Sequence, residues 1–349
     1  MKNAIYILSL AALILNSCGN NHAKTGNENT DEKQSIASEV VNCKKDTVRL
    51  HVETAGTLPS MISETEKYEI TDLILTGDLN GTDIRFVQEM AGSNVTNGKL
   101  TNLNLADVNI VAGGDGVKYT TSKDSISPFL FSSCDKLEAI ILPNSITSIG
   151  FGAFTHCTGL TSVAIPNSVT SIDPRAFGNC TGLTSITIPD GVTSIEWKTF
   201  GYCTRLTSVT IPNSVVAIGE YAFVRCTGLT NITIPNSVTS IWAGAFDHCI
   251  GLTSIIIPNS VTWIGSDAFY HCSGLTDVTI GNGITWIGES AFLGCSGLLE
   301  IHSKNPIPPT LGSNSFENQT TCKLYIPKGS LQAYKNAAVW KDFVNIIEE

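Results

Sequence analysis

Along more than half of the chain, apolar residues return to the same places every 23 residues. Cysteines stand at 134, 157, 180, 203, 226, 249, 272 and 295, and a longer last unit ends at Cys322. A leucine follows three residues after each evenly spaced cysteine, from Leu137 to Leu298. Within one unit, Leu183, Ile186 and Ile188 alternate as a short strand with one buried face would. Pro189-Asp190-Gly191 predicts a turn, because Pro presets φ and Asp-Gly tolerates left-handed backbone. Val192 and Ile195 lead a return segment, and pairs such as Ala222-Phe223 anchor a tight helical turn before the next cysteine. Each unit reads as one coil, strand out and turn back.

Half a dozen buried side chains cannot offset the ordering of a 23-residue coil, so one unit does not fold alone. Stacking gives every coil two neighbours and lets strands pair at about 4.8 Å, so that eight coils extend about 40 Å. The predicted fold class is a repeat solenoid with short parallel strands, 23-residue coils and N- and C-terminal caps. Strings such as CTGLTSVAIPNSVTSI (Cys157 to Ile172) and CTGLTNITIPNSVTSI (Cys226 to Ile241) resemble the BspA-like leucine-rich repeats of bacterial surface proteins. The segment Leu324-Tyr325-Ile326-Pro327-Lys328-Gly329, followed by Tyr334, Trp340 and Phe343, resembles that family's closing segment. The resemblance implies a leucine-rich solenoid, often tied to adhesion or host contact, with no shared enzymatic activity and no cofactor.

The ends of the chain differ in pattern from its middle. Residues 1–17 read as a signal peptide, with Lys2 ahead of an apolar run from Ile5 to Leu15 that is short for a membrane span. Leu15-Asn16-Ser17-Cys18 resembles a bacterial lipobox, which makes Cys18 a candidate lipid anchor; an ordinary secreted protein with a chance cysteine is the alternative. Residues 18–45 are polar and predict a disordered tether. The run after Cys18 lacks the acidic residues of some surface-export signals, so retention at the inner leaflet stays open beside a surface-exposed outer-membrane lipoprotein. Residues 46–127 predict an N-terminal cap with divergent coils: strands at Val48 to Val52 and Ile70 to Leu75, a short helix over Met61 to Glu69, and an L-x-x-L-x-L core from Leu100 to Leu105. Gly113-Gly114-Asp115-Gly116 marks a loop, and without a following Lys-Ser/Thr it is no phosphate cradle. Repeats fill 128–322, and 323–349 predicts a C-terminal cap with a helix and tail over Leu331 to Ile347.

Charge narrows the partners. Charged residues make up 15% of the chain and the net charge is -10, so Ser, Thr, Asn and Gly cover much of the surface. Nucleic acid and anionic lipid surfaces both require a basic patch, which leaves a protein ligand on a host or neighbouring cell, or a glycan, as partner. The sequence contains no Gly-x-Ser-x-Gly elbow, His-Glu-x-x-His or P-loop, and repeated positions spread along a rod instead of converging on a cleft. No catalytic residue is assigned.

Several constellations remain. The cysteine column reads as small buried thiols; occasional disulfides are the alternative, although strand spacing exceeds the Cβ separation a disulfide wants, and Cys43 has no assigned partner. His156, His248 and His271 each precede a ladder cysteine. His248 and His271 with Asp247 form a conceivable zinc set, but they point away from inward cysteines, and exposed loop histidines are the simpler reading. No metal is assigned. Outward strand positions Ser185, Thr187, Ser208, Thr210, Asn231 and Thr233 form a neutral polar face, continued by Asp277 and Thr279, that is either a docking surface or ordinary solvation. Trp263 and Trp286 replace Ser148, Ser171, Ser194, Ala217 and Ser240 of other coils, with Trp242 one column over. Such rings are either an exposed binding platform or packing on the solenoid side. The expected function is protein binding or adhesion through a solenoid face, with carbohydrate capture by the tryptophans or a structural envelope role as alternatives.

Overall fold

A computed structural model describes residues 47–93, 96–115 and 120–349. The signal peptide, Cys18, the tether 18–45 and Cys43 lie outside the described residues. Val48–Glu349 form one compact unit.

The chain enters on β1 (Thr47–Val52) and turns through α1, a four-residue helix over Leu58–Met61 with a proline in its first turn. The helix expected over Met61 to Glu69 is instead a set of turns. Ser63 and Glu66 close one of these turns on themselves: the Ser63 amide and hydroxyl donate to Glu66 Oε2, and the Glu66 amide donates back to Ser63 Oγ. Two long parallel strands follow, β2 (Asp72–Leu79) and β3 (Asn102–Ile110), with α2 (Gly81–Met90) between them. The sequence reading missed α2. Its signal was an Asn80 cap with Asp83 three residues on, a reciprocal capping box that the structure forms.

From Cys134 onward the coils carry two short strands, apart from one that lacks the first, and each set stacks in parallel. The first ladder contains Ala139–Ile141 and Ser162–Ala164 joined to β3, then Ser185–Thr187 with Ser208–Thr210, and later Ser254–Ile257, Asp277–Ile280, Glu300–Ser303 and Lys323–Ile326. Between its second and third parts the coil at 230–234 has no assigned strand. The second ladder is built from two-residue pieces, among them Ser194–Ile195, Ala217–Ile218, Ser240–Ile241, Trp263–Ile264 and Trp286–Ile287. Among the regular coils the registered pairs are offset by one repeat, as in Ser240↔Trp263 and Trp263↔Trp286.

Three columns of the interior keep one residue type from coil to coil. Cys157, Leu160 and Phe154 and their counterparts in the other regular coils are at most 3% exposed. Phe131, Phe154, Phe177, Phe200, Phe223, Phe246, Phe269, Phe292 and Phe316 stack face over face, with centroids 4.9–5.7 Å apart and planes within 13°. The ring spacing therefore reports the coil rise, close to the strand spacing of about 4.8 Å. Described cysteines from Cys134 to Cys322 are free thiols. From Cys157 to Cys295 each donates to the carbonyl of the preceding coil's phenylalanine, as Cys157 Sγ does to Phe131 O at 2.9 Å and Cys226 Sγ to Phe200 O at 3.1 Å. The thiol column is thus a hydrogen-bonding element as well as filler.

Two further demands explain the consensus. Gly159 and Gly274 lie so close to the previous coil that a Cβ would sit 2.3 Å from the Asp135 or Ile250 carbonyl oxygen. Thr184, Thr207 and Thr276 donate their hydroxyls to the carbonyl of the threonine one coil back, at 3.0–3.2 Å. The C-terminal end departs from expectation: α3 covers only Leu331–Asn336, and Asn345–Glu348 adds a parallel strand beside Lys323–Ile326. Trp340 closes the aromatic column, its indole N–H donating to Pro309 O at 2.7 Å.

Candidate functional site

The second ladder carries the aromatic side chains singled out in the sequence. Because Trp263 and Trp286 occupy directly paired rungs, their Cβ atoms leave the stack on the same side. Trp242 stands one column over, and its ring meets Trp263 edge to face with centroids 5.4 Å apart at 82°. Trp242 is 43% and Trp286 39% exposed; Trp263 is half-buried between them. Three consecutive coils thereby present indoles where neighbouring coils present Ser, Ala or Gly. Gly265 lets the two coils approach here: a Cβ there would stand 2.5 Å from the Ala243 amide nitrogen and 2.7 Å from the Trp242 carbonyl carbon.

The polar positions lie on the other ladder. Ser185 pairs with Ser208 and Thr187 with Thr210, all four exposed, and Asn231 and Thr233 follow, exposed, on the unpaired coil. Adjacent threonines are engaged by the stack itself. The sequence-derived candidates therefore form two groups on separate strand ladders, a hydroxyl-rich row and an indole cluster. Ile256, 67% exposed, interrupts the row between Thr233 and Thr279 with a bare apolar side chain.

The histidines occupy a third column, marked by backbone that sequence reasoning missed. Ser133, His156, Asn179, Tyr202, Arg225, His248 and His271 all have φ between 54° and 65°, each immediately before a ladder cysteine. Left-handed backbone disfavours branching at Cβ, and no Val, Ile or Thr appears at these seven positions. His248 and His271 stack at 5.0 Å, and His248 Nδ1 lies 2.5 Å from Asp247 Oδ1. Cys249 and Cys272 are fully buried behind them, so imidazole and thiol do not share a site. Burial pushes the thiols of Cys226, Cys249 and Cys272 well above their ordinary value and those of Cys203 and Cys295 up to about 12. Such thiols are poor nucleophiles and poor metal ligands.

A fourth feature is a ridge of cations on rings. Between Lys136 and Lys304 the basic residues are Arg175, Lys198, Arg205 and Arg225. Arg175 and Lys198 lie over Trp197 at 5.1 and 4.9 Å, Lys198 also faces Tyr221, and Arg225 lies over Tyr202. Arg205 borders a shallow depression of about 310 Å³ with Asp135, Lys136 and Glu138. No helix among the described residues is long and apolar enough to cross a membrane.

Comparison with known proteins gives a consistent picture. A family model described as the BspA type leucine rich repeat region matches in six copies, over residues 124–227 and 216–340. Among solved structures, a leucine-rich repeat protein from Bacteroides ovatus is similar at 26% identity, covering 71% of this chain and 72% of its own, with a TM-score of 0.48. The T. pallidum leucine rich repeat protein is similar at 25% identity, covering 62% of this chain and 89% of its own, with a TM-score of 0.47. A leucine rich cell surface protein from Faecalibacterium prausnitzii is 23% identical over 67% of this chain and 79% of its own, with a TM-score of 0.36. No curated protein matches the chain.

Proposed function

Because the chain belongs to the BspA-type leucine-rich repeat family, whose members are typically binding or structural scaffolds, we propose that it is a lipid-anchored bacterial surface protein that binds a protein ligand through one solenoid face. The observation that carries the reading is the cluster of Trp242, Trp263 and Trp286 on consecutive coils. Indoles bury large area with little side-chain entropy to lose, and a stack of coils holds them at fixed spacing. Further contacts along the same rod add affinity in modest increments. The anchor is Cys18, the tether 18–45 supplies reach, and the ligand belongs to a host or neighbouring cell. Outer-membrane placement facing outward is part of this proposal.

The test is a binding assay on intact cells and purified protein with Trp263→Ala and Trp286→Ala combined. We expect at least a tenfold loss, about 1.4 kcal/mol; because Trp263 is half-buried against Trp242, a thermal melt checks that the double variant stays folded. Unchanged binding sinks the reading. Protease shaving of intact cells tests the orientation: protection of the solenoid until lysis would remove surface contact. Carbohydrate capture is the second reading, favoured by the exposed indole of Trp286, which suits a sugar ring. Saturable binding on a glycan array that is lost in the same double variant would select it over a protein ligand.

A further inference from the structure

The C-terminal rungs of the first ladder gather nitrogen and oxygen donors that neither the binding reading nor the repeat consensus uses. Asp277 and Glu300 are directly paired rungs, and His302 lies two residues beyond Glu300 on the same strand, hence on the same face. His302 Nε2 stands 3.5 Å from Asp277 Oδ2 and 3.8 Å from Glu300 Oε2. One ligand atom from each of the three residues falls within 4.8 Å of the others. In a tetrahedral shell with bonds of about 2.0–2.2 Å, ligand atoms stand about 3.4 Å apart. Small side-chain movements therefore convert the observed spacing into a coordination shell, and the strands carrying it are held in register by their neighbours.

The surroundings orient the imidazole. Tyr325 stacks on it with centroids 4.4 Å apart and planes 3° from parallel. Its Nδ1 faces Glu349 Oε1 at 3.4 Å. A proton on Nδ1 donated to Glu349 leaves Nε2 as a lone pair aimed at two carboxylates. Three acceptors then converge, and a cation between them satisfies all three. Lys323 and Tyr325 both approach Glu300 at Oε1, at 3.2 and 3.4 Å, so Oε2 stays available. Lys304 is paired with Glu349.

We propose that Asp277, Glu300 and His302 form a binding site for a divalent transition metal of the zinc class, with Glu349 as the carboxylate that orients the imidazole. One nitrogen and two carboxylate donors suit zinc, whereas calcium requires six to eight oxygens. All three side chains are partly exposed, which leaves a coordination position open to water or to a donor from outside the chain. This site is independent of the tryptophan face.

Calorimetric titration of chelator-treated protein with zinc chloride tests the site. The parent takes up one zinc ion per chain and shows no comparable uptake of calcium. Glu349→Gln weakens zinc binding about tenfold, as loss of an orienting carboxylate does, and Asp277→Asn and His302→Ala weaken it further. Circular dichroism verifies folding of each variant, and the near-isosteric Asp277→Asn carries the test if His302→Ala fails to fold. No stoichiometric zinc uptake by the parent, or unchanged affinity in Asp277→Asn, overturns the proposal and leaves the cluster as an ionic clamp on the last strand.

Discussion

The leading coils and the regular coils return the chain in different ways. Between β2 and β3 the return is a ten-residue helix whose backbone bonds close within itself and whose entry is fixed by side chains. Buried Asp83 accepts amides from Gly56, Leu58 and Asn80 at 2.6, 3.0 and 2.9 Å, tying the first turns of the unit to one carboxylate. In the regular coils no helix forms. The amides of the turn donate to the next coil instead, as Phe154 N does to Ala176 O, Phe223 N to Ala245 O and Phe246 N to Ala268 O. A helical return is locally complete; a regular coil is completed only by its neighbour. Cooperativity between coils should therefore be strongest through the middle of the stack.

The largest effect should come from breaking the ring column there. Phe223→Ala removes a fully buried ring stacked on both sides and is expected to cost about 3–5 kcal/mol. Denaturant unfolding should show the loss in the main transition, since both neighbouring coils lose a face. Asp83→Ala should cost about 3 kcal/mol by orphaning three amides, but its damage should stay local. Hydrogen exchange would accelerate in residues 56–90 and stay slow in coils beyond Cys157; loss of protection across the whole stack would refute the distinction between the two return paths.

An intermediate effect depends on pH. Burial raises the Cys203 and Cys295 thiols from 9.0 to about 12. Below the unfolded value neither state ionises, and the thiols add no pH dependence. Above about pH 9 the unfolded chain releases protons that the folded chain retains, so stability falls by about 1.4 kcal/mol per pH unit per thiol until the folded value is reached. Thermal melts between pH 9 and 11 should show a shallower fall in Cys203→Ala than in the parent. The smallest effect is expected at the left-handed column: Asn179→Gly should shift stability by less than about 1 kcal/mol, because relief of φ 61° is offset by a more flexible unfolded chain.

The stack itself was legible because its signal repeats: a cysteine, a leucine and an Ala-Phe pair at fixed offsets leave few alternatives to a solenoid. The adjacent rungs of Trp263 and Trp286 were legible by the same arithmetic, but their burial was not: Trp242 and Trp286 are exposed and Trp263 is half-buried. What escaped lies between the repeats. Left-handed backbone before the cysteines from Cys134 to Cys295 appears in the sequence only as missing β-branched residues, and a threonine hydroxyl bound to the preceding coil looks the same as one facing solvent. Helix α2 escaped because no repeat announces it, although Asn80 and Asp83 did. Asp277, Glu300 and Lys323 are spaced by the repeat and could have been aligned. The late arrival of Cys322 hid that register.

The thiol column sets a race during folding. While the chain is unfolded, its cysteines are ordinary exposed thiols, and in an oxidising compartment any two of them could be joined in a wrong pairing. Each contact that buries them spans about one repeat, so the topology is dominated by short-range closures of the kind that fold quickly. Once two coils have met, Sγ is occupied by a carbonyl and the thiolate needed for exchange is suppressed. A chain that stacks promptly keeps its thiols for good; one that stalls, through a lost ring or a broken turn, risks being locked into a covalent tangle.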